Sequence, residues 1–230
     1  MTDVRLMLSE RVAEVRSRIA AACVRAGRSA NDVALIGVTK TVSAEVAKVA
    51  FEQGLHDLGE SKPQELWKKA AAIPEACWHL IGHLQRNKLD RTIPLAALVH
   101  SVDSLRLLEA LDAFGRERGT PVPVLLEVNC SREASKGGFR PEDVLPLCDK
   151  LMSLIGVQIH GLMTMAPFFD NSEKCRPTFA ELRELRAKLE TVTGLPLPFL
   201  SMGMSNDFAV AIEEGATHVR IGTTLFEGVR

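Results

Sequence analysis

Short continuous runs of hydrophobic residues alternate along the chain with segments whose apolar positions have helical spacing. The continuous runs are typical of strands that are buried on both faces of a parallel sheet. They predict strands at residues 33–39, 55–58, 78–81, 98–101, 122–128, 159–163, 199–201 and 218–221. The segments with helical periodicity predict helices at residues 44–53, 63–72, 85–91, 104–118, 141–154, 177–191 and 207–214.

Eight strands that alternate with helices indicate an α/β protein, and the pattern is that of a (β/α)₈ TIM barrel. A further amphipathic segment at residues 4–26, followed by Gly27, predicts an extra N-terminal helix. A doubly wound open sheet is the alternative architecture. No linker or change of composition divides the chain, so residues 1–230 are predicted to form a single domain.

Composition excludes several classes of protein. The 230 residues are 46% hydrophobic and 25% charged, with a formal net charge of -1, which gives no basic excess for nucleic acid. No apolar run approaches a membrane span, and the charged N-terminus does not look like a signal peptide. Five scattered cysteines predict reduced thiols, with neither disulfides nor a zinc site. We therefore expect a cytoplasmic protein that binds neither membrane nor metal.

Lys40 directly follows the first predicted strand, and active sites of such barrels gather at the C-terminal ends of the strands. If the amine is buried there, it loses hydration, which suits an amine that must lose its proton to attack a carbonyl carbon. The side chain can instead extend to solvent at the mouth of the barrel. The hydrophobic pattern leaves both alternatives open.

The loops after strands seven and eight are candidates for binding phosphate. Ser205 and Asn206 precede a predicted helix, and Gly222 and Thr223 follow the last strand. Phosphate sites of barrels often form from these two loops, where free backbone N–H groups can receive an anion. The alternative is that these residues form only tight turns, with Asn206 as a helix cap.

Arg220 ends the eighth strand, which neighbours the first strand in a closed barrel, so it is expected near Lys40. Its guanidinium keeps its proton, so it would donate to a ring nitrogen and leave that nitrogen unprotonated. A salt bridge with Glu60 is the alternative. His79 and His83 flank a step from strand to loop and share no face, which argues against a metal site between them. Lys136 is a second candidate amine or a solvated loop lysine.

Seven motifs occur in order between residues 33 and 226. They are Val38-Thr-Lys40-Thr, Gly59-Glu60 with Gln64-Glu65, Trp78-His-Leu-Ile-Gly82 with Leu84-Gln85 and Asn87-Lys88, Ser135-Lys136-Gly-Gly138, His160-Gly-Leu-Met163, Ser201-Met-Gly-Met-Ser-Asn-Asp207 and Arg220-Ile-Gly-Thr223. Together they resemble the pyridoxal phosphate homeostasis protein family, also known as proline synthase co-transcribed homologues. This family is similar in fold to the N-terminal barrel of alanine racemase, of fold-type III.

The resemblance implies that the cofactor is pyridoxal 5'-phosphate (PLP) and that Lys40 forms its Schiff base. It places phosphate ligands at Ser205, Gly222 and Thr223 and the partner of the pyridine nitrogen at Arg220. Further contacts are expected from Ser61, Met204 and Asn206. Ser61 and Lys62 depart from the asparagine and the aromatic residue that are usual in the family, and Lys62 adds charge at the mouth of the site.

Two functions fit this resemblance, a PLP-dependent enzyme such as an amino-acid racemase and a non-catalytic carrier. Racemisation needs a base on each face of the substrate, and alanine racemases supply one as a tyrosine from a separate C-terminal domain. This chain has no tyrosine and ends soon after the loop of strand eight. An unprotonated pyridine is also a poor electron sink. We therefore expect a monomeric carrier that buffers PLP for apo PLP-enzymes, without substantial catalysis.

Overall fold

The computed structural model describes residues 2–229 and contains a closed barrel of eight parallel strands in sequence order. The strands are β1 (Ala34–Val38), β2 (Asp57–Glu60), β3 (Cys77–Leu80), β4 (Leu98–Val102), β5 (Val122–Glu127), β6 (Val157–Met163), β7 (Phe199–Ser201) and β8 (His218–Ile221). Each lies within two residues of its predicted bounds. The closed barrel is confirmed, and the open-sheet alternative is wrong because β1 pairs with β8.

Helices surround the barrel on its outer side. They are α1 (Thr2–Arg25), α2 (Ala44–Glu52), α3 (Pro63–Ala72), α4 (Leu89–Thr92), α5 (Leu105–Arg118), α6 (Pro141–Val144), α7 (Cys148–Ser153), α8 (Arg176–Thr193), α9 (Phe208–Glu213) and α10 (Thr223–Phe226). Across residues 2–229, none of the helices combines the length and apolar character needed to cross a membrane.

The helix predicted over residues 141–154 is wrong as a single element. The structure has α6, a 3₁₀ turn at Leu145–Leu147 and then α7. Pro146 lies inside this turn and has no N–H to donate to the preceding turn of helix, so a continuous α-helix cannot pass through it. The segment 85–91 is also divided, into a 3₁₀ turn at Arg86–Lys88 and the short helix α4.

The extra N-terminal helix α1 covers one side of the barrel and packs against α2, α9 and α10. Its buried face carries Leu8, Val12, Val15 and Ile19 at helical spacing. Gly27 ends the helix as predicted, with a φ of 64° in the left-handed region. The Arg28 N–H donates to the Cys23 carbonyl at 2.9 Å and the Gly27 N–H donates to Val24 at 3.1 Å, which is a Schellman motif.

Helix α5 lies directly against the backbone that enters β6. A Cβ added at Gly115 would come within 1.8 Å of the Gly156 carbonyl oxygen, and one added at Gly156 within 1.9 Å of the Asp112 carbonyl oxygen. The Asp112 carboxylate accepts hydrogen bonds from the Gly156 and Ile155 N–H groups at 2.7 and 2.9 Å. Only glycine allows this close approach of helix and strand.

We expect Gly115→Ala to lower the free energy of unfolding by about 3 kcal/mol, because the new methyl group has no space in this packed contact. The higher helix propensity of alanine, worth about 1 kcal/mol, offsets only part of this loss. Urea denaturation measures the change. Glu117→Ala on the exposed side of the same helix is the control, and equal stability of the two variants would contradict the prediction.

Candidate functional site

A cleft of about 1030 Å³ opens at the C-terminal ends of the strands. All eight residues proposed from the sequence as cofactor contacts line this cleft. They are Lys40, Ser61, Met204, Ser205, Asn206, Arg220, Gly222 and Thr223. The loops that follow β1, β2, β7 and β8 therefore meet at one site, although the residues are up to 183 positions apart in sequence, from 40 to 223.

Lys40 follows β1 and lies exposed in the cleft. Its amine extends into solvent, which is one of the two alternatives that the sequence left open, and it is not desolvated. Within residues 2–229 the amine makes no ion pair or side-chain hydrogen bond. Ser43 caps the next helix, because its hydroxyl accepts a hydrogen bond from the Val46 N–H at 3.3 Å. The lysine is therefore held between a buried strand and a capped helix, with its amine accessible.

Arg220 is 4% exposed and is fixed by two hydrogen bonds inside the barrel. Its Nη1 donates to Ser201 Oγ at 2.6 Å and its Nη2 donates to the Thr164 carbonyl at 2.9 Å. Burial lowers the pKa of Arg220 to about 10, so the guanidinium still carries its charge at neutral pH. The alternative salt bridge with Glu60 is wrong, because the carboxylate of Glu60 binds another residue.

A chain of hydrogen bonds continues from Arg220 through the interior of the barrel. Ser201 Oγ lies 2.8 Å from His100 Nδ1, His100 Nε2 lies 3.0 Å from His79 Nδ1, and His79 Nε2 lies 3.0 Å from Asp57 Oδ1. Burial lowers the pKa of His100 well below its usual value, so this imidazole is neutral and donates from one nitrogen only. Because the chain ends at a carboxylate, which only accepts hydrogen bonds, each bond in the chain can be donated in the direction from Arg220 toward Asp57.

The loops after β7 and β8 are joined to each other at the cleft. The Thr224 N–H donates to Ser205 Oγ at 3.2 Å. The backbone N–H groups of Ser205, Asn206 and Thr223 donate no hydrogen bond within residues 2–229. These N–H groups, together with the hydroxyl of Thr223, form a set of donors that suits an anion such as a phosphate group.

The predicted cap at Asn206 is wrong. Helix α9 begins at Phe208, so Asp207 is its first flanking residue. The Asp207 carboxylate turns back and accepts a hydrogen bond from the Met204 N–H at 2.6 Å. This bond closes the loop before the helix, and neither Asn206 nor Asp207 caps α9 with a side-chain hydrogen bond to its first turn.

Sequence reasoning missed a buried ion pair beneath Lys40. Lys69 of α3 is 1% exposed, and its Nζ donates to Glu60 Oε1 at 2.6 Å and to the Thr39 carbonyl at 2.7 Å. The Thr39 hydroxyl donates to the same oxygen of Glu60 at 2.6 Å. The signal was present in the sequence, because Lys69 lies three residues after Leu66 on the apolar face of α3.

Two other charged groups lie near the cleft, and one of them is Lys136, which was considered from the sequence as a second candidate amine or a solvated loop lysine. Lys136 donates to the Ala166 carbonyl at 3.0 Å and forms an ion pair with Glu133, so its amine is engaged. Glu127 ends β5 inside the barrel, and burial together with the neighbouring Asp103 raises its pKa to about 7. The partners of these two groups could not be recognised from spacing, because they come from loops that meet only in the folded chain.

Comparisons with known proteins give the family. Residues 15–229 match the model of the alanine racemase N-terminal domain. A pyridoxal phosphate homeostasis protein of Aquifex aeolicus is 44% identical over 219 residues, which cover 94% of this chain and 96% of that protein. The chain belongs to the pyridoxal phosphate homeostasis protein family. The human member of this family is 34% identical over 84% of this chain and 75% of its own length.

Solved structures agree with this membership. PipY of Synechococcus elongatus, solved with PLP bound, has a TM-score of 0.83 at 34% identity and covers 95% of this chain and 99% of its own. Alanine racemase of Corynebacterium glutamicum has a TM-score of 0.74 at 15% identity, over 96% of this chain and 61% of its own. The second likeness concerns the fold alone.

We expect Lys69→Met to lower the free energy of unfolding by about 3–5 kcal/mol, because the buried carboxylate of Glu60 loses its counter-charge. Chemical denaturation at neutral pH measures the loss. The matched control is Lys68→Met, which changes an exposed lysine of the same helix and should cost less than about 0.5 kcal/mol. Equal stability of the two variants would show that the pair does not stabilise the fold.

Proposed function

We propose that the chain binds PLP in this cleft and acts in intracellular PLP homeostasis, as a carrier that holds the cofactor and delivers it to apo PLP-enzymes. The observation that carries the proposal is the meeting of an accessible amine, a fixed guanidinium and two donor-rich loops in one cleft. In this proposal residues 1–230 form a single PLP-binding domain that is monomeric and cytoplasmic.

Each part of PLP has a partner in the cleft. The amine of Lys40 would condense with the aldehyde of bound PLP to form a reversible Schiff base, and the aldehyde oxygen would leave as water. Ser205, Gly222 and Thr223 hold the phosphate group at the joined loops, and Arg220 donates to the pyridine nitrogen. Ser61, Met204 and Asn206 line the remaining wall and limit the position of the ring.

The residues of the cleft favour storage of the cofactor over catalysis. Arg220 remains charged and cannot accept a proton, so the nitrogen that it contacts stays unprotonated and withdraws electrons weakly. A racemase also needs a second base opposite its lysine, which alanine racemases supply as tyrosine, and this sequence contains no tyrosine. The exposure of Lys40 leaves the amine open to water, which favours reversible release.

We expect the purified chain to bind PLP with a visible absorption band, and borohydride to fix the cofactor to the peptide that contains Lys40. Lys40→Ala should lose the band, because it removes the amine that is proposed to bind the aldehyde. Absorption spectroscopy and peptide mass spectrometry measure this. Lys136→Ala is the matched control, since Lys136 lines the same cleft but is already engaged. A full band in Lys40→Ala would refute the assignment.

We also expect the loaded chain to restore activity to an apo PLP-dependent aminotransferase while a phosphatase destroys free PLP. Transfer under these conditions distinguishes a carrier from simple release, because released cofactor is degraded. The recipient's activity is the readout, with free PLP as the control. Sustained racemisation of alanine, serine or ornithine by the loaded chain, well above the rate with free PLP, would overturn the carrier function in favour of an enzyme.

A further inference from the structure

Three metal-ligating side chains meet at the end of the barrel opposite the cleft. Asp57 and Cys77 are the first residues of β2 and β3, and they are directly paired in the sheet. His79 lies two residues after Cys77 on the same strand, so both side chains point to the same side of the sheet. The ligand atoms of these three residues all lie within 4.8 Å of one another.

The distances between these atoms fit a tetrahedral zinc ion. His79 Nε2 lies 3.0 Å from Asp57 Oδ1 and 3.5 Å from Cys77 Sγ. Zinc binds nitrogen and oxygen at about 2.0 Å and thiolate sulfur at about 2.3 Å, which requires about 3.3 Å between nitrogen and oxygen and about 3.5 Å between nitrogen and sulfur. The two distances from His79 Nε2 therefore lie within a few tenths of an ångström of those in a zinc site.

The surroundings hold the histidine in the orientation that a metal ligand needs. His79 is buried, and its Nδ1 is hydrogen-bonded to His100 Nε2 at 3.0 Å, which leaves Nε2 directed at Asp57 and Cys77. Histidines that bind metals have their second nitrogen held in this way. The ligand site is also accessible, because the Asp57 side chain is 36% exposed in a groove of about 440 Å³ beside α1.

We propose that Asp57, Cys77 and His79 form a binding site for a borderline-soft divalent cation of the zinc type, with water as the fourth ligand. Binding forms one bond each to sulfur, nitrogen and oxygen and releases the thiol proton of Cys77 to solvent. The ring proton of His79 moves to Nδ1, from which it is donated to His100 Nε2. The proton of His100 moves to its Nδ1 and is donated to Ser201 Oγ, so metal binding reverses the donor direction in this part of the chain. Carboxylate, imidazole and thiolate together favour zinc or cobalt over magnesium or calcium.

An ordinary hydrogen-bonded pair of Asp57 and His79 would satisfy the same two residues without a metal. The thiol distinguishes the two explanations, because a hydrogen-bonded pair does not require Cys77 and a zinc-type site does. The site could not be recognised from the sequence, since its ligands come from two strands and share no metal-binding motif. It shares no residue with the cleft at the other end of the barrel, and the hydrogen-bond chain through His100 joins the two ends.

The test is titration of the full chain with Co²⁺, followed by competition for Zn²⁺ with a chromophoric chelator. We expect one Co²⁺ per chain with a near-ultraviolet thiolate-to-cobalt band. Cys77→Ser should abolish this band, and both Cys77→Ser and Asp57→Asn should weaken Zn²⁺ binding at least about tenfold. Cys148→Ser, at a buried thiol in α7, is the matched control and should bind as the unaltered chain does.

Lys40→Ala should bind the metal unchanged, which separates this site from metal held by the cofactor. Circular dichroism establishes whether each variant is folded. If Cys77→Ser does not fold, zinc binding by Asp57→Asn provides the test. Zinc binding in folded Asp57→Asn as tight as in the unaltered chain would overturn the proposal. The absence of a thiolate band, or its loss in Cys148→Ser instead of Cys77→Ser, would overturn it as well.

Discussion

Pairing of β1 with β8 is the constraint on which the candidate site depends. The register of this pair places Ile36 beside Arg220, so the loop that carries Lys40 emerges next to the strand that carries the guanidinium. Residues that are far apart in sequence then line one cleft. An open sheet built from the same strands would leave β1 and β8 as separate edges, and Lys40 and Arg220 would not line one cleft. The candidate site is therefore assembled only when the barrel closes.

A closed barrel also creates an interior in which every polar group must find a partner. Arg220, Ser201, His100, His79 and Asp57 meet this requirement as a single chain of hydrogen bonds that reaches from the cleft to the opposite end. Each member fixes the orientation of the next, because a neutral imidazole donates from one nitrogen and accepts at the other. The position of the arginine at the cleft thus depends on residues at the far end of the barrel.

The sequence predicted the parts of the structure that depend on local pattern. Strand bounds followed from continuous apolar runs, and the end of α1 followed from Gly27. The contacts that were not predicted depend on packing between distant segments, which a local sequence pattern does not reveal. The contact of Lys69 with Glu60 depends on how α3 packs beneath β1 and β2, and the pairing of His79 with His100 depends on which strands become neighbours. Pro146 interrupts the helix predicted at residues 141–154, because its missing N–H outweighs the helical periodicity around it.

The exposure of Lys40 bears on why a barrel shared with racemases would serve as a carrier. Catalytic sites exclude water, because electrostatic interactions strengthen in a dry site and reactive intermediates are protected there. A carrier needs the opposite property, since a Schiff base is released by attack of water at its carbon. Arg220 is buried and fixed by two hydrogen bonds while Lys40 is accessible, so in the proposed function the arginine would position the ring and the lysine would form the exchangeable bond. The combination of a buried arginine and an accessible lysine favours holding and release of the cofactor over chemistry on a substrate.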